Sequence, residues 1–404
     1  MEIKKNSTSS LLGGITLVAG TCIGGGMLAL PVETAEAGLV PSLVVMFVAW
    51  VFMLMTGLLL SEATLWVKTP HPHLVTMSQK FLGSSGRFLS ILLVFFMGIG
   101  SLVAYTTAGG PILQILGSEL FSFNVDPSLY AVIFASIFGL VFLFQGKWVT
   151  KINQYLVYGL AITFLLILII GFGHFKKIEW VADFSKIPVC IPLILTTFSY
   201  QIMVPSLVEI LQRDRNAIYK AIFFGSLIPL FIYQAYQIVV FGIVPLEGDM
   251  GLLYALKNGL SSTEVLYYHT KSGLLAPIVN AFAFFSIVTS FIGIGLGLVG
   301  FVRDLFHLNS NYRILFAISL SLILSTLFFT FLIPNAFLTA LDMTGGYGDT
   351  WLSGLIPIGM CWVGRHIFKI EEGAKQITRK WILAALALFA LIVMYMQTYK
   401  LLYL

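Results

Sequence analysis

Charge is scarce in this chain. Of 404 residues only 10% are Asp, Glu, Lys or Arg, while 58% are hydrophobic; an average soluble protein carries roughly 25% charged residues. No water-soluble domain could hide that much apolar surface, so the composition excludes ordinary soluble enzymes and points to a polytopic membrane protein. The formal net charge of +5 is spread through the loops, which leaves no basic face for nucleic acid. Cysteine is scarcer still. Cys22, Cys190 and Cys361 all lie in or at the end of apolar runs, which excludes a disulfide framework and offers no zinc-ligand spacing, so neither a metal nor a cofactor is expected. The histidines, His71, His73, His174, His269, His307 and His366, fall in loops or at span ends and form no catalytic cluster. No enzyme is expected, and His71 and His73, set between Pro70 and Pro72, read as a solvated turn. Long polar segments are missing as well, which argues for one membrane domain over 1–404 and against a sensor with a soluble output domain. The first apolar run is too long for a signal-peptide core and no cleavage signal follows it, so it is expected to remain as a spanning helix.

What the chain does have is hydropathy for about eleven spans. They fall near 11–37, 40–67, 87–116, 128–146, 152–173, 188–211, 215–243, 274–306, 312–333, 350–369 and 380–400. With the N-terminus inside, only Lys176, Lys177, Lys186, Lys257, Lys271 and Lys400 of the 23 Lys and Arg fall outside, while Lys4 and Lys5 stay inside. The positive-inside rule therefore sets the N-terminus in and the C-terminus out. Two outer segments are candidate lids: 244–273, with short surface helices expected at 252–257 and 262–268, and the glycine-rich 334–349.

Span one is long enough to cross a bilayer yet reads LLGGITLVAGTCIGGGMLALPVETAEA, with four glycines between Gly20 and Gly26. Each costs a helix roughly 1 kcal/mol relative to alanine, so the pattern predicts unwinding at mid-membrane depth. Hydrocarbon does not tolerate open backbone groups unless they line a cavity or meet a ligand. Close helix packing by small residues is the alternative use of these glycines. Span six is most polar from Thr196 to Gln201 and carries Pro205 just beyond, which predicts a second break near 199–203; a continuous, kinked helix is the alternative. Interrupted helices at corresponding places in two sets of five point to a site between inverted repeats. The layout, not any matching of letters, assigns 11–173 and 188–369 to the two repeats and leaves 380–400 as an additional helix.

The stretches VAGTCIGGGMLALPVETAEAG at 18–38, AYTTAGGPIL at 104–113, TTFSYQIMVPSLVEIL at 196–211, VTSFIGIGLGLVGFVRDLF at 288–306 and IPNAFLTALDMTGG at 333–346 resemble the bacterial aromatic amino acid permeases. These are the tyrosine and tryptophan permeases of the hydroxy/aromatic amino acid permease family, in the amino acid–polyamine–organocation superfamily. The resemblance covers essentially the whole chain. It implies an all-α, LeuT-like fold of two inverted five-helix repeats plus one helix, in the bacterial cytoplasmic (inner) membrane. It also implies proton-coupled import by alternating access of an aromatic amino acid, tyrosine first among them. A tryptophan or broad aromatic permease and a sodium-coupled variant are the alternatives, with a non-transporting amino acid sensor behind them. One departure stands out: where the permeases resembled read FGFH, this chain has Phe198, Ser199, Tyr200 and Gln201, which removes a titratable histidine.

Residue chemistry suits a zwitterionic amino acid. Its carboxylate is expected at the backbone N–H groups of Cys22, Ile23, Gly24, Gly25 and Gly26, where a half-helix begins near Met27. Its ammonium is expected at carbonyls freed near 19–21 and 197–199. Thr21 either donates to the substrate or bonds back to its own helix. Phe198, Tyr200 and Tyr105 are placed around the aromatic ring, and Gly109, Gly110 and Pro111 are expected to bring span three close to span one. Gln201 either hydrogen-bonds a phenol or indole group or serves an interhelical bond. For the coupling ion, Thr289 and Ser290 suit sodium or bond their own helix. Glu33, Glu36, Glu62, Glu209 and Asp304 are the intramembrane acids, with Glu209 and Asp304 able to pair with Arg213, Arg215 or Arg303 as an inner gate. A proton is favoured over sodium.

Overall fold

The computed structural model describes residues 7–68, 73–121, 127–144, 147–176, 178–270, 273–308 and 311–403. Lys4, Lys5, Lys177 and Lys271, used above for sidedness, and the turn of Pro70, His71 and Pro72 lie outside the described residues. Among the described residues the protein is all-helical, as expected where backbone groups must satisfy one another within lipid. Eight helices among the described residues are long and apolar enough to cross a membrane, and a pair bent by 45°, Leu11–Cys22 with Gly25–Glu33, makes a ninth. The two other expected spans are helical too: Pro127–Gly139 with a tighter turn over Leu140–Leu143, and a run of shorter helices from Ala336 to Ile367. The strongest apolar windows of spans two, six, seven and eight are 61% buried, against 22% for spans nine and eleven and 28% for span five. The former group builds the core. The latter turns apolar side chains such as Ile169, Phe328 and Tyr395 outward.

Local sequence explains several boundaries. Asp214 accepts from the N–H groups of Asn216 and Ala217 and caps span seven, Arg215–Ile243; Asn311 caps span nine, Tyr312–Leu332, in the same way. Such caps satisfy backbone donors that a helix start leaves open. Span two, Leu39–Trp66, opens at Gly38. There φ is +84° and an added Cβ would stand 1.9 Å from the Val181 carbonyl oxygen, so only glycine fits.

Two boundaries differ from the sequence expectation. Helix precedes span three from Leu74, with a break at Gly83 (φ 72°) before the span itself. More consequentially, 334–349 is not a lid. Ala336–Met343 is helix, Thr344–Leu355 continues it with wide π-type turns, and Ile356–Trp362 completes span ten. The reason lies in the glycines. A Cβ on Gly345 would stand 1.7 Å from the Pro192 carbonyl oxygen, one on Gly346 2.5 Å from Gln397 Cγ, and one on Gly348 2.4 Å from Met97 Cγ. They let three helices approach rather than loosening a loop. The other outer segment does form short helices, Leu252–Asn258 and Ser262–Thr270, packed over the outer part of span one, where Ser262 donates to the Leu28 carbonyl.

The packing has a regularity. Span one packs on seven and six on two, three on ten and eight on five, three on nine and eight on four, and three on eight. Adding or subtracting five converts each of the first three pairings into its companion and the last into itself.

Candidate functional site

Both interruptions are present. Span one ends its first helix at Cys22, runs extended at Gly24 (φ −165°, ψ −165°), and resumes as a tight turn at Gly25–Leu28 and helix at Leu30–Glu33. Span six ends its first helix at Thr197 and resumes through Gln201–Met203 into Val204–Ile210. One side chain joins the two. The Tyr233 hydroxyl, on span seven, lies 2.7 Å from the carbonyl oxygens of both Cys22 and Thr197, and its ring meets Phe198 edge-on at 5.1 Å. The breaks release these carbonyls, and they share the single hydroxyl proton of a buried tyrosine.

Donors freed in span one are covered as well. Ser290 Oγ accepts from Gly25 N at 2.9 Å while donating to Ser286 O. Tyr105 packs its ring on Gly25, where a Cβ would approach Cε1 to 2.7 Å, and its hydroxyl lies against Ser290 and the Gly26 backbone. A Cβ on Gly26 would touch Thr197 Cγ2 at 3.4 Å. Thus Cys22, Ile23, Gly24, Gly25, Gly26, Tyr105, Phe198 and Ser290 converge, with Ser199 beside them.

Other expected residues point elsewhere. Thr21 bonds back to Leu17 O at 2.7 Å and Thr289 to Phe285 O at 2.7 Å, so each hydroxyl serves its own helix. The Tyr200 hydroxyl and the Gln201 amide both donate to the Met53 carbonyl on span two, at 3.0 and 3.1 Å, and Gln201 also reaches Thr56. Close fit explains it: Gly57 faces the Tyr200 hydroxyl, which a Cβ would approach to 2.1 Å. Gly109 and Gly110 meet Phe134 and Ala131 of span four rather than span one.

At the inner end, buried Glu62 accepts from Arg215 Nε (2.7 Å), the Tyr219 hydroxyl (2.8 Å) and Ala374 N (3.1 Å). Arg213 donates to the carbonyls of Thr64, Leu65 and Val67, closing the end of span two. Arg215 thus pairs with Glu62 rather than with Glu209 or Asp304, and Asp304 is exposed near the end of span eight. At the outer end Glu33 and Asp342 share the Lys400 ammonium, and exposed Glu36 pairs with Lys186 at 2.8 Å.

Two residues escaped the sequence reading. Tyr233 gave no signal beyond being one tyrosine among 16. Asp349, fully buried in the wide-turned part of span ten, accepts from Ser199 and from Ser353 (2.8 Å). Its position within a stretch read as an outer loop concealed it. An acid flanked by glycines inside an apolar run was the available signal.

Toward the outer face a cavity of about 290 Å³ lies between Thr107 and Pro111 of span three, Asn258 and Glu264 of the outer helices, and Asn335 and Phe337 of span ten. The Glu264 carboxyl is pushed up from its usual range by burial, opposed by hydrogen bonds from Ser261.

Polar groups gathered at two interrupted spans of a multi-pass helical protein suit the class of membrane transport proteins. The chain matches the tryptophan/tyrosine permease family over residues 7–397 and belongs to it. It is 27% identical to a tryptophan-specific transport protein of Haemophilus influenzae, over 90% of each chain. It is 29% identical to tyrosine-specific transport system 1 of the same organism, over 88% of each, and 25% identical to the low affinity tryptophan permease of Escherichia coli, over 84% of this chain and 83% of that one. In bacteria such a multi-pass permease resides in the inner membrane.

Proposed function

We propose that this permease imports an aromatic amino acid, tyrosine or tryptophan, with a coupled proton, by alternating access around the paired breaks. The observation that carries the reading is the convergence on those breaks of hydroxyls from three other spans: Tyr233 on the freed carbonyls, and Ser290 and Tyr105 at the freed N–H groups. These are weak, exchangeable partners. A substrate carboxylate makes stronger, charge-assisted bonds to the same donors, and an ammonium does so to the carbonyls. Phe198 and Tyr105 supply apolar surface for the ring. Related pairing of spans one to five and six to ten supports two repeats that rock against each other. Glu62 with Arg215 closes the inner end, and the helices packed over span one close the outer.

Purified protein in liposomes, given radiolabelled tyrosine, tryptophan and phenylalanine under a proton and then a sodium gradient, tests this. Accumulation of tyrosine or tryptophan driven by the proton gradient is expected. Uptake of none of the three refutes the substrate class, and a response to sodium alone refutes the proton. Gly25→Leu is expected to abolish binding in a protein that still inserts, because its side chain would displace the Tyr105 ring; normal uptake by that variant removes the breaks from the site.

A further inference from the structure

Asp349 is 0% exposed, and the whole of its hydrogen bonding falls on one oxygen. Oδ1 accepts from Ser199 and Ser353, whereas Oδ2 is enclosed without a partner. No cation acts on it among the described residues. The titratable groups that face it are the Cys22 thiol of span one and the Tyr105 phenol of span three, close enough to feel its charge. From span six the Ser199 hydroxyl meets it, and from span two the Phe52 ring packs on nearby Gly354. Lys400 on span eleven is already held by Glu33 and Asp342. A carboxylate so enclosed, without a counter-charge, takes up a proton rather than remain ionised. It also sits beside the break of span six through Ser199, and its charge reaches Cys22 at the break of span one. The wide helical turns that present it are a form often found at functional positions.

We infer that Asp349 is the group that carries the transported proton, an assignment that rests on the proton-coupled reading above. Open to the outside, the carboxylate takes a proton from water. Neutral, it allows the site to close around the substrate. Open to the inside, it returns that proton to water, and no other bond is made or broken. Gln201, whose amide is committed to span two, takes no part in the transfer.

Reconstituted wild-type protein and Asp349→Asn separate the possibilities. In the wild type, uptake is expected to rise with external acidity and to exceed equilibration severalfold under an inward proton gradient. In Asp349→Asn the accumulation ratio is expected to fall to one, and whatever exchange remains is expected to be independent of pH. Ser199→Ala should move the pH midpoint of whatever uptake remains upward, because the lost hydroxyl favours the ionised form; a merely structural role would leave that midpoint in place. Gradient-driven accumulation by Asp349→Asn overturns the assignment. So does a loss of affinity for amino acids alone, with pH dependence intact, which would make Asp349 the counter-ion of the substrate ammonium. Infrared titration in lipid without any substrate gives an independent reading: a protonated-carboxyl band that disappears in Asp349→Asn supports the assignment, and an unchanged spectrum refutes it. If the wild type moves no aromatic amino acid while this band is present, the substrate reading fails and the proton site stands.

Discussion

Glu33 and Asp342 share the ammonium of Lys400 near the outer face, whereas Asp349, further along the same span as Asp342, faces no cation among the described residues. All three carboxyl groups are buried. The difference is the partner, and with it the role. A carboxyl group paired with lysine ties helices together; here the pairing joins the outer part of span one to spans ten and eleven. A buried carboxyl without a cation gains little as a tie and is free to change protonation. Glu62 at the inner end follows the paired pattern, with Arg215 as its cation. Charge therefore locks the two ends of this permease, while the centre between them is built from hydroxyls, backbone and one acid.

Lys400→Met makes the outer cluster resemble the centre. Removing one partner of a buried ion pair costs about 3 kcal/mol or more, and here two carboxylates lose their cation, so a large fall in thermal stability in detergent is expected. An unchanged melting temperature would mean that the cluster does not tie the outer helices. Tyr233→Phe tests the centre without touching charge. It keeps the ring against Phe198 but leaves two buried carbonyls short of a donor, at about 1–3 kcal/mol, and uptake should fall about tenfold if that energy holds the two breaks in register. Gln201→Leu should cost about 1–2 kcal/mol of stability, from its lost bonds to span two. It should reduce uptake of tyrosine, tryptophan and phenylalanine equally; a selective loss for the hydrogen-bonding aromatics would bring Gln201 back to the substrate. Lys186→Met, which removes an exposed pair with Glu36, should change stability by less than about 1 kcal/mol, the baseline against which the buried cluster is measured.

Much of the site was legible because backbone breaks leave a compositional trace. The glycines at 20–26 and Pro205 beyond a polar centre marked both interruptions. What glycine means, however, depends on its neighbours. Gly24 and Gly25 open a helix where a serine hydroxyl and a tyrosine ring press in. Gly345, Gly346 and Gly348 instead stay within a helix and admit three others. Spacing alone does not separate these cases, so span ten began too late and Asp349 was passed over. Gln201 shows the same limit, since an amide suited to a substrate is equally suited to the Met53 carbonyl.

By itself the sequence determined that the chain is a bundle of apolar helices and where the first and sixth spans fail to be helical. Those follow from local quantities: transfer of side chains to lipid, the cost of glycine in a helix, and the donor that proline lacks. Tertiary structure decided which partners the freed groups take. Tyr233 reaches the carbonyls of both breaks, and Asp349 meets Ser199 without a cation, only because distant spans are packed together. A hydrogen bond or an ion pair is a relation between positions in space, and in a chain where most residues are interchangeable apolar ones, packing selects the few polar groups that meet.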